Sequence, residues 1–287
     1  MSELDLTGKV ALVTGTGSGL GRAMALGLAA AGAQVGGVDI SNDGLEATVR
    51  DAEAQGGGRV LPIVTDVTSI KDCENAVKTA ITELGGLHMV VNCAGLGMAA
   101  VQDDFTHRRL NYWKTDPDRW QRLIDVNIRG PFLLARAATP HLLKQGWGRI
   151  VNVTTSFNTM MRGGNMPYGQ SKAAVEASSV AWADDLKDTG VTCNVLIPGG
   201  AADTAMIPDD APYDRSKLNP PSVMVAPICW LLSDASDGVN GQRFLGRLWD
   251  PDAPVADAIA ASCSPAGWPE LGNAAAPGQA RRPEPPR

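Results

Sequence analysis

A junction near the start of the chain limits the possible folds more than any other feature. Val10-Ala11-Leu12-Val13 is apolar on consecutive residues, and the chain then runs through Thr14-Gly15-Thr16-Gly17-Ser18-Gly19-Leu20-Gly21 into a helical stretch. A strand with apolar side chains on both faces must be covered on both faces, as in a parallel sheet held between helices. The pattern recurs, with strands predicted at 9–14, 34–39, 59–65, 88–92, 149–154 and 192–197. Helical segments are expected between them: 19–31 stopped by Gly32, 69–84 stopped by Gly85-Gly86, and 116–145 opened by an Asp-Pro pair. This alternation predicts an α/β fold, a three-layer doubly wound parallel β-sheet with right-handed crossovers.

Composition fits one domain with an extension. The 287 residues carry 44% hydrophobic side chains and a net charge of −6. The acidic balance argues against a broad grip on nucleic acid or anionic lipid. No apolar run approaches the ~18 residues of a membrane span, and the start Met1-Ser2-Glu3-Leu4-Asp5 lacks a signal-peptide layout. Cys73, Cys93, Cys193, Cys229 and Cys263 form no Cys/His ligand spacing, so no metal is expected. Their odd number and scattered positions suit buried thiols in a reducing cytoplasm. We read a catalytic domain over 1–250, an extension over 251–273 that packs on the domain or on a neighbouring subunit, and a disordered tail over 274–287 rich in Ala, Pro, Gly and Arg.

The glycine run has a chemical use. Glycines let a backbone approach a pyrophosphate, and the helix that follows presents free N–H groups and the positive end of its dipole. Gly15, Gly17, Ser18, Gly19, Leu20 and Gly21 are therefore expected to cradle a dinucleotide. Asp39, at the end of the second strand, is placed to accept hydrogen bonds from a ribose, with Ile40 beside it. Its charge would repel a 2′-phosphate by about 1–4 kcal/mol at intermediate dielectric. No Lys or Arg stands at Ser41 or in the loop to offset this, so NAD is expected over NADP.

Tyr168-Gly169-Gln170-Ser171-Lys172 sets Tyr and Lys four residues apart, on one face of a helix. Together with the Thr-Gly-x-x-x-Gly-Leu-Gly loop, Asn92-Cys93-Ala94-Gly95, Asn127 and Pro198-Gly199 in order, this resembles the short-chain dehydrogenase/reductase family in its compact single-domain, Rossmann-type branch. The resemblance runs from about Leu6 to Leu248. It implies Tyr168 as general acid/base, Lys172 lowering the phenol pKa and holding the nicotinamide ribose, and Asn127 holding a water of a proton relay. It also implies cofactor contacts from Asp66, Val67, Asn92, Ala94, Gly95, Pro198 and Gly199. The family's serine that binds the substrate oxygen stands thirteen residues before the tyrosine, which here is Thr155; Ser156 is the second choice. The run Pro198-Gly199-Gly200-Ala201-Ala202-Asp203-Thr204 is one residue longer than the family's, leaving Asp203 or Thr204 for the nicotinamide amide, with Thr204 preferred for its hydroxyl.

The implied activity is NAD-dependent interconversion of a small-molecule secondary alcohol and ketone. Phe157, Met160 and Asn165, before Tyr168, are expected to line the pocket, pointing to a fairly bulky cyclic or aromatic substrate. The segment 102–114 is longer than usual in this branch and carries Trp113, which is read as pocket mouth, subunit contact or solvated flap. The resemblance further implies a homo-oligomer, tetramer or dimer. Two alternatives are an NADPH-dependent carrier-protein ketoreductase and a non-catalytic NAD(H) sensor. Asp39 and the acidic balance disfavour the first, and retention of Tyr168 and Lys172 disfavours the second.

Overall fold

In the computed structural model, residues 4–272 are described. Eight strands form one sheet in the order β3-β2-β1-β4-β5-β6-β7-β8. They are β1 (Val10–Thr14), β2 (Gln34–Asp39), β3 (Val60–Val64), β4 (Met89–Asn92), β5 (Gly148–Val153), β6 (Val191–Ile197), β7 (Gln242–Leu245) and β8 (Cys263–Pro265). The first seven are parallel, and β8 runs antiparallel to β7, pairing Phe244 with Cys263. The crossovers are α1 (Gly19–Ala30), α2 (Asn42–Gln55), α3 (Ile70–Glu83), α4 (Pro117–Ile124) with α5 (Gly130–Gln145), α7 (Tyr168–Asp185) and α8 (Val225–Leu232); short α6 (Phe157–Met160) precedes α7, and α9 (Val255–Ser262) follows β7.

The central strands alternate between two cores, so both faces of the sheet are dry along them. Ala11, Val13, Val35, Val91, Val151 and Leu196 pack with α1, α8 and α9 on one side. Leu12, Val38, Val90, Ile150 and Cys193 pack with α3, α5 and the end of α7 on the other. All of β1, β4, β5 and β6 is buried along its whole length. Polar side chains can therefore work only beyond the strand ends.

Two expectations are corrected. The helix expected over 116–145 is broken: α4 passes through a π turn at Asp125–Arg129 before α5 begins. Asn127 sits in that turn with its side chain bonded to the loop after β4 rather than to its own helix. The sheet also gains the antiparallel β8, which the sequence hid in the polar triplet Cys263-Ser264-Pro265. Proline is tolerated there because β8 is an edge strand. The expectation for 274–287 lies outside the described residues.

Behind β7, Phe244 is fully buried and its ring lies 5.7 Å from that of Trp230 and 6.2 Å from that of Trp249. This aromatic group fastens the sequence after β7 to the first core. Phe244→Ala is expected to destabilise the fold by about 3–5 kcal/mol, read as a lower urea midpoint with an unchanged slope.

Candidate active site

The glycine loop takes the form its composition predicts. Gly15 has φ 75°, and a Cβ there would come 3.0 Å from the Ala94 backbone nitrogen. A Cβ on Gly21 would stand 2.2 Å from the Gly15 carbonyl oxygen, so α1 reaches the loop only with glycine at that position. Ser18 is the N-cap of α1, yet its side chain makes no cap bond. The first-turn N–H groups of α1 thus remain available for an anion, which is the fit a pyrophosphate requires. Asp39 leaves β2 beside them: one carboxylate oxygen accepts from Gly17 N and the other from Ser41 N, each at 2.9 Å. Ile40 is exposed next to it.

Farther along the strand ends, Asp66 accepts from the backbone and hydroxyl of Thr68. The Val67 side chain packs toward Gly130 in the second core, which leaves its backbone for any ligand contact. The Asn92 amide donates to Asn152 Oδ1 at 2.7 Å, and Asn152 donates to Ser179 Oγ at 2.8 Å, a buried polar chain between β4, β5 and α7. The backbone N–H groups of Cys93 and Ala94 both donate to the Thr14 hydroxyl. That bond shapes the loop containing Gly95, where a Cβ would lie 3.3 Å from Asn127 Oδ1 and 3.4 Å from Lys172 Nζ.

Asn127 is committed by its side chain. Its carbonyl oxygen accepts from Leu96 N at 2.7 Å, while its amide donates to Leu96 O at 2.9 Å and to Ser171 Oγ at 3.1 Å. A relay water at Asn127 is thus left the main-chain carbonyl of the π turn rather than the side chain.

The catalytic candidates meet where β5 ends and α7 begins. The Thr155 hydroxyl stands by the Tyr168 phenol, where it favours the ionised form. Ser156 is turned to another task, capping α6 by accepting from Thr159 N and sharing a hydrogen bond with the Thr159 hydroxyl. Lys172, buried one turn after Tyr168, donates from Nζ to the Val153 carbonyl at 3.0 Å. Burial pushes the Tyr168 phenol up from its ordinary value, and the Thr155 hydroxyl works against that rise. Burial likewise holds Lys172 below the ordinary ammonium range.

The loop after β6 comes back over this region. Gly199 has φ 87° and lies under the aliphatic part of Arg247. Thr204 is brought to the glycine loop, its methyl 3.1 Å from where a Cβ on Gly19 would be, while Asp203 is spent on an ion pair with Arg215. Thr204 is the one of the two that reaches the glycine loop.

The substrate candidates divide. Phe157 is half-exposed and stacks on Trp268 of the C-terminal extension, with ring centroids 5.5 Å apart. The Asn165 amide donates to the Thr159 carbonyl. Met160 is 1% exposed, so its side chain belongs to the interior. Trp113 is 67% exposed and edge-on to Tyr112, outside the apolar cluster that holds Tyr168. Phe105 and Leu110 from the same long segment join that cluster instead, with Met98, Val101 and Leu123. The segment is also tied outward: Arg109 lies across Gly163 and Gly164, and His107 is 3.5 Å from Asp210 in the loop after β6. Sequence reasoning passed over Leu110 and over Glu176, a buried acid four residues after Lys172 whose helical spacing was a readable signal.

Comparison with known proteins bears on the family and the fold. The family model for short chain dehydrogenase matches residues 9–212. An uncharacterized oxidoreductase of Staphylococcus aureus (strain MRSA252) is 33% identical over 235 residues, covering 82% of this chain and 96% of that protein. A 2,5-dichloro-2,5-cyclohexadiene-1,4-diol dehydrogenase of Sphingobium indicum (strain B90A) is 33% identical over 242 residues, 84% of this chain and 89% of that one. Among solved structures, a short-chain type dehydrogenase/reductase from Mycobacterium marinum superposes with a TM-score of 0.74 at 27% identity, covering 88% of this chain and 98% of the other. The chain belongs to the short-chain dehydrogenase family, whose members are oxidoreductases that bind nicotinamide cofactors.

Proposed function

We propose that the chain is an NAD-dependent oxidoreductase that interconverts a secondary alcohol and a ketone. The observation that carries this reading is the convergence of the Thr155 hydroxyl, the Tyr168 phenol and the Lys172 ammonium at one strand end beside the glycine loop. A bound nicotinamide cofactor supplies the hydride acceptor or donor. Gly15 to Gly21, Asp39 and Thr204 are the residues that would hold it, through backbone N–H groups, a carboxylate and a hydroxyl. Thr155 donates to the substrate oxygen and orients it toward Tyr168. In oxidation the Tyr168 phenolate accepts the hydroxyl proton; in reduction the phenol donates it. Burial opposes the phenolate; the Thr155 hydroxyl offsets this in the free enzyme, and once it turns to the substrate oxygen the neighbouring Lys172 ammonium is the group that favours the charged form. The proton leaves past Lys172 toward a water on the Asn127 carbonyl.

Phe105 and Leu110, packed with Tyr168, suit a bulky apolar body on the substrate. The relative named for a chlorinated ring diol supports a cyclic substrate for this chain as well. Exposed Phe132 and Leu143 on α5 and Val180 on α7 support a homo-oligomer built through those helices.

The first test is NADH or NADPH formation by purified protein over a panel of cyclic and aromatic secondary alcohols. NAD+ is expected to be preferred, and Tyr168→Phe to lower turnover by about 10²–10⁴ while NADH still binds. No turnover of any panel member, or turnover that survives in Tyr168→Phe, sinks the catalytic reading. Asp39→Ala is expected to erode the NAD preference by about tenfold or more; an NADP+ preference in the unaltered enzyme would overturn that assignment.

Lys172 gives a second, opposite readout. Its folded pKa lies below the ~10.4 of the unfolded chain, so burying the ammonium costs stability. That cost is fully present below the folded value and disappears as pH rises through the window up to the unfolded value. Lys172→Met is therefore expected to melt higher than the unaltered protein at pH ~7, with a gain that shrinks toward pH ~10, while turnover is lost. A lower melting temperature at neutral pH would show that the lysine is structural.

A further inference from the structure

The last residues of β5 are held one after another by three charged groups. Lys172 takes the Val153 carbonyl at 3.0 Å, Glu176 Oε2 accepts from the Thr154 hydroxyl at 2.9 Å, and Arg243 Nη2 donates to the Thr155 carbonyl at 2.8 Å. Glu176 lies four residues beyond Lys172 on the same face of α7 and is fully buried. Arg243 comes from β7, where it pairs with Val195 of β6 and Ser264 of β8, and its side chain is 13% exposed. The two face each other across 3.6 Å, Arg243 Nε to Glu176 Oε1, and neither of those atoms has a hydrogen-bond partner among the described residues.

A buried ion pair this long is a poor stabilising device. Desolvating both charges is not recovered by a contact beyond hydrogen-bond range, and an apolar pair of similar volume is often equally or more stable. What the pair does accomplish is local: it fixes the side chain of Thr154 from one element and the backbone of Thr155 from another. We propose that Glu176 and Arg243 are a positioning pair, which sets the Thr155 hydroxyl against Tyr168 by clamping the end of β5 between α7 and β7. This rests on the catalytic reading of Thr155 and Tyr168. It extends the active centre to β7 and to the strap β8 beside it.

The experiment is an ultraviolet tyrosinate titration joined to kinetics. With Tyr112→Phe and Tyr213→Phe as background, Tyr168 is the remaining tyrosine. The charge that bears on it comes from Cys93 in the loop after β4; Phe105 and Leu110 bring none. The double variant Glu176→Gln/Arg243→Met removes one charge of each sign, so the net field is unchanged. If the pair positions Thr155, the double variant loses the hydroxyl contact that favours the phenolate, and the Tyr168 midpoint rises to the same degree as in Thr155→Val. Turnover falls by about tenfold or more in both, with NADH affinity and melting temperature retained. A double variant that titrates and turns over like its background, while Thr155→Val is displaced, overturns the proposal. Should the double variant fail to fold, Arg243→Lys keeps the charge but cannot serve Glu176 and the Thr155 carbonyl together. The same rise is expected there, and an unmoved midpoint again overturns the pairing. If the background enzyme oxidises no alcohol, the catalytic reading has failed on its own, and the titration still decides the positioning.

Discussion

The dryness of both sheet faces is the constraint from which the rest follows. Because Val10 to Thr14, Met89 to Asn92 and Gly148 to Val153 are buried along their whole length, no reactive side chain can stand in mid-strand without a partner. Thr14, Asp39, Asn92 and Thr155 all stand at or just past carboxyl ends, where parallel strands leave a common crevice. The polar groups that do enter the interior are chained to one another. Asn92, Asn152 and Ser179 link β4 through β5 to α7, so the helix bearing Tyr168 and Lys172 is fixed to the strands whose loops face it.

What could be read from the sequence was whatever depends on local order. The strand 34–39 is found at its predicted ends because buried β-branched and small residues stop abruptly at Asp39 and a helix cap follows at Ser41. The glycine loop was legible because each glycine answers a local need, a positive φ at Gly15 or a close approach at Gly21. The pairing of Tyr168 with Lys172 was legible from helical period alone. Spacing ranked Thr155 ahead of Ser156; the task that occupies Ser156 appears only when it is seen capping α6. Non-local features escaped for a single reason: their partners lie far away in the chain. Arg243 meets Thr155 across 88 positions, and Leu110 joins Tyr168 through a fold of the 102–114 segment that no periodicity announces. The π turn at Asp125–Arg129 escaped likewise, since the helical pattern continues unbroken on both sides.

Pocket composition is decided by segments that the scaffold does not dictate. Three of them pack against the loops that follow β4 and β5 or, in one case, against Tyr168 itself. The 102–114 segment contributes Phe105 and Leu110, the loop after β6 lays Met206 on Gly97, and the C-terminal extension sets Trp268 on Phe157. Trp268 itself holds φ 55°, unusual for a bulky side chain, and the chain before it is anchored by β8 pairing to β7 and by Gly267 packed on Val180. Elements of the core thus hold each of these segments from behind. The Thr155 and Tyr168 hydroxyls stay with the end of β5 and with α7, whereas the segments around them can change by substitution in loops without disturbing either core.

That division also explains why buried charge gathers at the end of β5 and not elsewhere in the sheet. The proposed reaction requires a hydroxyl, a phenol and an ammonium held in fixed relation while substrate and cofactor come and go. Apolar packing fixes backbones to the precision of a core, but it cannot orient a threonine hydroxyl whose neighbours on one side leave at every turnover. Directional bonds from behind can. Lys172, Glu176 and Arg243 supply such bonds to three successive residues, each from a side chain rooted in a buried element. The stability given up to bury them is the cost of a site whose geometry does not depend on its ligands.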